Sequence, residues 1–179
     1  MSQVMSPAAI PAFVWRVEGV GVRVAVSGGV LDQLRATLEQ APPDAEIGGI
    51  LLGKIVRDDS GFHTQIDGFE PFVIEHRHGS GFTMSPRDQI FLEKRLQWLR
   101  RKRLVPVGLY RSHHRRGLYL DQRDFEVFER DFRHPAAVFL VVRQDGGEAK
   151  GGFFVWESKF LGSRPNGCNL RGCSAWLHQ

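Results

Sequence analysis

Three short stretches carry side chains able to do chemistry. Glu46 lies in the run Glu-Ile-Gly-Gly-Ile-Leu-Leu-Gly, three residues before Gly49 and seven before Gly53. The second stretch is Gly108-Leu109-Tyr110-Arg111-Ser112-His113. The third is Asp121-Gln122-Arg123-Asp124, which begins eight residues after His113. Carboxylates and imidazoles are the groups of acid–base work and of metal ligation. A guanidinium differs from both, because it stays protonated and has no lone pair to offer an ion. Each piece also has a plain reading. Glu46 reads as a loop carboxylate, His113 and His114 as a surface pair, and Asp121 and Asp124 as the cap and third residue of a helix.

The elements around these residues follow from hydrophobic period and turn chemistry. Val20, Val22, Val24 and Val26 alternate as a half-buried strand, and Leu31, Leu34 and Leu38 then fall at helical spacing up to about Gln40. Ser27 is the expected cap, and Pro42 and Pro43 the stop. Ile47 to Ile55 reads as a buried strand whose glycines admit another backbone at close range. A turn at Asp58 to Gly61 returns the chain as a strand over about His63 to Phe72. Ser85, Pro86 and Asp88 start a helix with Leu92, Leu96 and Leu99 on one face, ending near Arg103. Its terminal Arg100-Arg101-Lys102-Arg103 suits the negative pole of the helix dipole. Val105 to Tyr110 is a strand that delivers Arg111, Ser112 and His113. Asp121 opens a helix with Phe125, Phe128 and Phe132 on one face, and Asp145-Gly146-Gly147 joins strands at Ala137 to Val142 and Gly152 to Trp156. The expected order is β-α-β-β-α-β-α-β-β, an α+β domain with a mixed, largely antiparallel sheet flanked by helices. Residues 1–17 read as an arm, 18–160 as the domain and 161–179 as a tail.

The three stretches in this order resemble the JAB/MPN domain family, whose active members are JAMM zinc peptidases. That family has a glutamate on a strand ending in a glycine-rich run, then a Gly-aromatic-Tyr strand leading into His-x-His. After seven residues comes Ser-x-x-Asp. Glu46 matches the glutamate, His113 the second histidine and Asp124 the aspartate, and the resemblance runs from about residue 18 to 160. It implies an MPN/JAB-like, cytidine-deaminase-like fold. It also implies that Glu46 takes the general-base position, that His113 and Asp124 take metal-ligand positions, and that Ser112 and Asp121 stand among the catalytic positions. In the active family the metal is zinc, which activates a water for attack on an amide, often an isopeptide bond to a ubiquitin-like protein.

This chain departs from the pattern at the first histidine, which is Arg111, and at the serine, which is Asp121; His114 replaces a proline. A dication about 4 Å from a guanidinium, at an effective dielectric near 20, feels repulsion on the order of 8 kcal/mol. A carboxylate at the serine position opposes a developing oxyanion, where loss of one donor already costs about a hundredfold in rate. The expectation is therefore a guanidinium in place of the metal, neutralising Glu46 and Asp124. The chain is expected to lack peptidase activity, to carry no cofactor, and to act as a protein-binding or scaffold module, its partner being another protein or a second copy of itself. Two alternatives stand beside it. One is a JAMM-type peptidase or isopeptidase that binds zinc through His113, Asp121 and Asp124, with Glu46 as base and a ubiquitin-like protein or peptide as substrate. The other is a nucleic-acid binder using Arg100 to Arg103 and Arg111 to Arg116.

Composition narrows the field. The 179 residues are 42% hydrophobic and 25% charged, which excludes a disordered chain, a collagen and a coiled-coil rod. The net charge of +4 permits acidic partners without requiring nucleic acid. No apolar run has membrane-spanning length, and Met1 to Phe13 lacks the pattern of a signal peptide. Cys168 and Cys173 make no disulfide framework, so a reducing cytoplasm is expected. His76 and His78 have no third ligand in sequence, and neither a phosphate-binding glycine loop nor a serine-nucleophile elbow is present.

Overall fold

Alternation is the organising rule of the strands. In β2 (Val22–Ser27) the three valines at 22, 24 and 26 are buried, while Arg23, Ala25 and Ser27 are half-buried. The computed structural model describes residues 11–17, 21–43, 45–76, 79, 81–145, 148–156 and 170–176. Around β2 they form β1 (Pro11–Val17), α1 (Gly28–Glu39), β3 (Gly48–Asp58), β4 (Gly61–Phe72) and α2 (Pro86–Arg101). Then follow β5 (Pro106–Ser112), α3 (Gln122–Asp131), β6 (Val138–Asp145), β7 (Glu148–Trp156) and β8 (Leu170–Trp176).

All eight strands join one sheet in the order β1-β2-β4-β3-β5-β6-β7-β8. β2 with β4 and β5 with β6 are parallel; the other neighbours are antiparallel. The sheet curls: Phe13 and Trp15 of β1 reach across to Phe153 of β7, with ring centroids 6.3 and 5.5 Å apart. Leu34 and Leu38 of α1 fill the concave side with Val24, Leu51, Tyr110, Leu140 and Phe153. The convex side packs Ile50, Leu109 and Phe139 against Leu92, Leu96 and Leu99 of α2 and Phe128 of α3. Adjacent residues thus serve opposite layers, as period two requires.

The expected MPN/JAB-like, α+β architecture is corrected by this arrangement. Strands dominate, and the single mixed sheet is a curled half-barrel with three helices, not a sheet sandwiched in an α+β manner. Two strands explain much of the difference. Residues 11–17, expected in an arm, form β1, and residues 170–176, expected in a tail, form β8. Each lengthens the sheet by an edge, and the right-handed twist accumulated over eight strands brings those edges around. Pro11 and the glycine- and serine-rich C-terminal region masked the alternation. Val20, Cys168, His78, Gly146 and Gly147 lie outside the described residues, while Cys173 sits in β8 opposite Phe153.

Local signals held at the helices with one exception. Ser85 accepts from the Asp88 amide and Asp88 returns a bond to Ser85, a complete capping box. Ser27 precedes α1 as its cap residue but its side chain makes no capping bond. Among the described residues no helix is long and apolar enough to cross a membrane. The glycines of β3 and β5 admit neighbouring backbone: a Cβ on Gly53 would collide with the Gln65 carbonyl, and one on Gly108 with the Val138 carbonyl.

Gly108→Ala should therefore destabilise the fold by about 3 kcal/mol, since β5 and β6 must separate to admit the methyl. Gly29→Ala meets nothing within 4 Å. It should be neutral or stabilising by up to about 1 kcal/mol, as expected for alanine in a helix. Urea denaturation of the two variants checks the contrast, and equal effects would contradict the packing described.

Candidate functional site

The strand that ends at Ser112 divides its side chains between the two layers. Tyr110 enters the concave core, whereas Leu109 packs on the convex side. By the same alternation Arg111 and His113 project to the convex side, where α3 begins. Ser112 ties in the neighbouring chain: its amide donates to the Ile47 carbonyl at 2.6 Å, and its hydroxyl accepts from the Ile47 amide at 2.8 Å. That two-bond clasp fixes the residue beside Glu46. Asp121 caps α3, accepting from the Arg123 and Asp124 amides at 2.9 Å each, and Asp124 accepts from the Asp121 amide at 3.0 Å. The capping box therefore turns the Asp124 carboxyl back toward β5.

Arg111 lies at the centre and is 3% exposed. Its Nη1 donates to Glu46 Oε2 at 3.0 Å, and its Nη2 stands 2.7 Å from Asp124 Oδ2. The more exposed Asp121 Oδ2 lies 3.9 Å from Nη2. Glu46 uses both oxygens twice. Oε2 also accepts from the Phe82 amide at 2.8 Å; Oε1 accepts from the His114 amide and meets His113 Nδ1, each at 3.0 Å. Burial by itself would raise the Glu46 pKa, but the donors from Phe82, His113 and His114 and the Arg111 charge together hold it below the ordinary 4.5. Asp124 goes the other way. Burial pushes its carboxyl up to about 7, the Arg111 charge opposes that rise, and the Asp121 charge adds to it. One buried cation is thus shared among three carboxyls, and the most enclosed of them holds its proton longest.

The ionised Glu46 carboxylate only accepts hydrogen bonds, so His113 Nδ1 is the donor in their contact. In a neutral imidazole this leaves the lone pair on Nε2, which has no hydrogen-bond partner among the described residues. Tyr119 meets the ring edge-on, centroids 4.6 Å apart. Glu46, Arg111, His113 and Asp121 border a cavity of about 540 Å³, with Tyr119 and Arg115 at its sides.

The zinc site implied by the resemblance does not fit these residues. Arg111 places its guanidinium between the general-base and ligand carboxyls, and its charge opposes a dication. Asp124 Oδ2 already serves Arg111 and the Asp121 amide. In the alternative set, Asp121 Oδ1 serves the helix cap, Asp121 Oδ2 lies 3.9 Å from the Arg111 guanidinium, and Asp124 does not border the cavity that His113 and Asp121 share. Among the described residues no group of three or more His, Cys, Asp or Glu side chains is placed to hold a metal.

Of the residues singled out in sequence, Glu46, Arg111, His113, Asp121 and Asp124 meet in one cluster. Glu46 lies in the loop before β3, as its plain reading had it, but is buried; the surface reading of His113 is corrected, since that residue is buried, and His114 alone of the pair is exposed. The helix-capping reading of Asp121 and Asp124 holds together with the ion pairing. Ser112 serves the backbone clasp and does not border the cavity. The Phe82 and His114 amides were not legible, because every residue carries an amide and only the folded path aims it. Tyr119 was not legible either, because its place against His113 depends on the path of the intervening loop.

No family model matches the sequence, and no curated protein matches it. Among solved structures the chain is similar to the solution structure of protein DSY2949 from Desulfitobacterium hafniense, at 18% identity and a TM-score of 0.53. The alignment covers 84% of this chain and 89% of that one. A likeness at this identity concerns the fold alone.

The two displaced carboxyls set opposite pH dependences. Glu46 contributes stability above its ordinary 4.5 and loses it as pH falls. Folded Asp124 keeps its proton up to about 7, whereas the unfolded chain releases it near 3.8. Its contribution therefore declines as pH rises across that window. The stability of the wild type minus that of Asp124→Asn should fall from about pH 4 to pH 7 and then level, as measured by urea denaturation at each pH; a rise over the window would contradict the assignment. Arg111→Met, which strips the shared cation, should cost about 3–5 kcal/mol near pH 8, and less in acid.

Proposed function

We propose that this chain is a protein-binding or scaffold module related to the JAB/MPN family through its site residues, with the hydrolytic centre converted into a closed ion-pair cluster. The observation that carries the reading is the buried guanidinium of Arg111 between Glu46 and Asp124. In a zinc peptidase the general base must be free to take a proton from water. Here Glu46 is committed to Arg111, His113 and two backbone amides, and its lowered pKa makes it a weak base. Asp121 sets a carboxylate beside the cavity, at the position where the family presents a hydroxyl.

Each of these features favours structure over turnover. The cluster cross-links the start of β3, the end of β5 and the start of α3, so it serves as a pin between segments distant in sequence. A partner protein or a second copy of the chain is the proposed ligand, and the cytoplasm the proposed compartment, on the grounds of cysteine usage. The peptidase alternative sets a dication beside Asp121 Oδ2, which lies 3.9 Å from the Arg111 guanidinium that would repel it.

Zinc analysis of the purified chain tests the proposal. The wild type, loaded with excess zinc and desalted, should retain a small fraction of one equivalent. Arg111→His restores the imidazole at the family's first ligand position and should gain zinc toward one equivalent, with the metal removable by chelator. Stoichiometric zinc in the wild type, or chelator-sensitive cleavage of an isopeptide-linked substrate, would overturn the reading.

A further inference from the structure

The outward face of α2 has no role in the cluster around Arg111. Its inner face is accounted for, since Leu92, Leu96 and Leu99 are fully buried. The opposite face repeats along the helix as Arg87, Phe91, Lys94, Trp98 and Lys102, residues that fall on successive turns of one side. Phe91 is 49% exposed and Trp98 36%, and the adjacent Ile90 is 54% exposed. Three large apolar side chains thus stand at the surface of one helix. Cations hold the rings: the Arg95 guanidinium lies 4.0 Å from the Trp98 centroid, and that of Arg87 lies 5.5 Å from the Phe91 centroid. Glu70 anchors Arg95 through a bidentate pair, so the stack over Trp98 is fixed in place.

Charge is concentrated here as well. Between Pro86 and Arg103 the chain carries seven cations and two acids, a net of +5, while the whole chain carries +4. This one segment therefore exceeds the net charge of the molecule, and the rest is close to neutral. One of the two acids, Asp88, is buried in the capping box. Lys94, Arg100, Arg101 and Arg103 have no carboxylate within ion-pair distance among the described residues. The helix dipole accounts for cations in the last turn, not for Arg87 and Lys94 earlier in the helix.

We infer that this face of α2 docks an acidic amphipathic segment of a partner protein, its apolar side chains spaced to meet Phe91 and Trp98 and its carboxylates set against the flanking cations. Charge complementarity identifies the occupant. Nucleic acid fits less well, because bases stack on free aromatic faces and here guanidinium groups already lie over the rings. The exposed parts of Phe91 and Trp98 and the aliphatic Ile90 suit apolar side chains. A helix of 16 residues is about 24 Å long, enough for two apolar anchors one heptad apart. The inference stands apart from the reading of the Arg111 cluster, which shares no residue with this face.

The test titrates the full chain against a labelled synthetic peptide about as long as α2 that places leucines at helical heptad spacing among glutamates. A scrambled peptide of the same composition and a single-stranded oligonucleotide of similar charge serve as comparisons. The amphipathic peptide should bind at least about tenfold tighter than the scrambled one. Phe91→Ser should weaken it about tenfold, and Lys94→Glu with Arg101→Glu should do the same; both variants change exposed side chains, and circular dichroism confirms that they fold. Equal binding of the two peptides, unchanged affinity in Phe91→Ser, or tighter binding of the oligonucleotide would overturn the inference. None of these results depends on the zinc content of the protein.

Discussion

A single guanidinium holds the site together. Arg111 is buried, and its forked donors reach Glu46 on one side and Asp124 on the other. Burying a charge costs several kcal/mol, and that cost is met only when opposite charges and hydrogen bonds surround it closely. Here the surroundings come from three places in the chain. The Ser112–Ile47 clasp sets Glu46, β5 sets Arg111 and His113, and the α3 capping box sets Asp124. Removal of the cation would leave the buried carboxyls of Glu46 and Asp124 with no opposite charge between them. The cluster is therefore a structural dependency of the fold as well as the candidate site.

The same constraint explains why the carboxyls differ. Glu46 has amide donors from Phe82 and His114 in addition to Arg111, and it stays ionised easily. Asp124 has one amide donor, deeper burial and a second carboxyl nearby, and it ionises late. Neither state suits peptide hydrolysis at a metal. An acid held by so many donors is a poor base, and a carboxyl paired with a guanidinium is a poor ligand. His113 Nε2 has no hydrogen-bond partner among the described residues, nor has Arg111 Nε, and the orientation of the His113 ring is set by Glu46 from behind. The cavity beside it is bordered by charges of both signs, in contrast to α2, where cations and exposed apolar rings dominate.

Most of the local elements were legible in sequence, and so was the cluster. Valines at period two marked β2, the capping box at Ser85 and Asp88 marked α2, and the apolar run before Arg111 marked β5. The ion-pair network was expected from the resemblance, which set Glu46 and Asp124 in one pocket, together with the permanent charge of Arg111. What sequence did not show is how the sheet closes. β1 carries a proline at its start and β8 lies in a glycine-rich region, so neither displays a strong strand signal, and the fold class expected without them was wrong. Propensity is local, whereas edge pairing is decided by which neighbour is available. The Ser112 hydroxyl shows the same limit at the scale of one residue. Its type suggested chemistry, while its place on the strand turned it toward the Ile47 backbone.

The central claim is that the Arg111 guanidinium is locked inside the protein between Glu46 and Asp124. Nitrogen-15 NMR of the arginine side chains measures this directly through the exchange of guanidinium protons with water. The account predicts that the Arg111 Nε–H signal persists at neutral pH, exchanges far more slowly than that of the exposed Arg115, and is unmoved by added zinc. Exchange at the rate of a solvated arginine, or displacement of the signal on zinc addition, would contradict it.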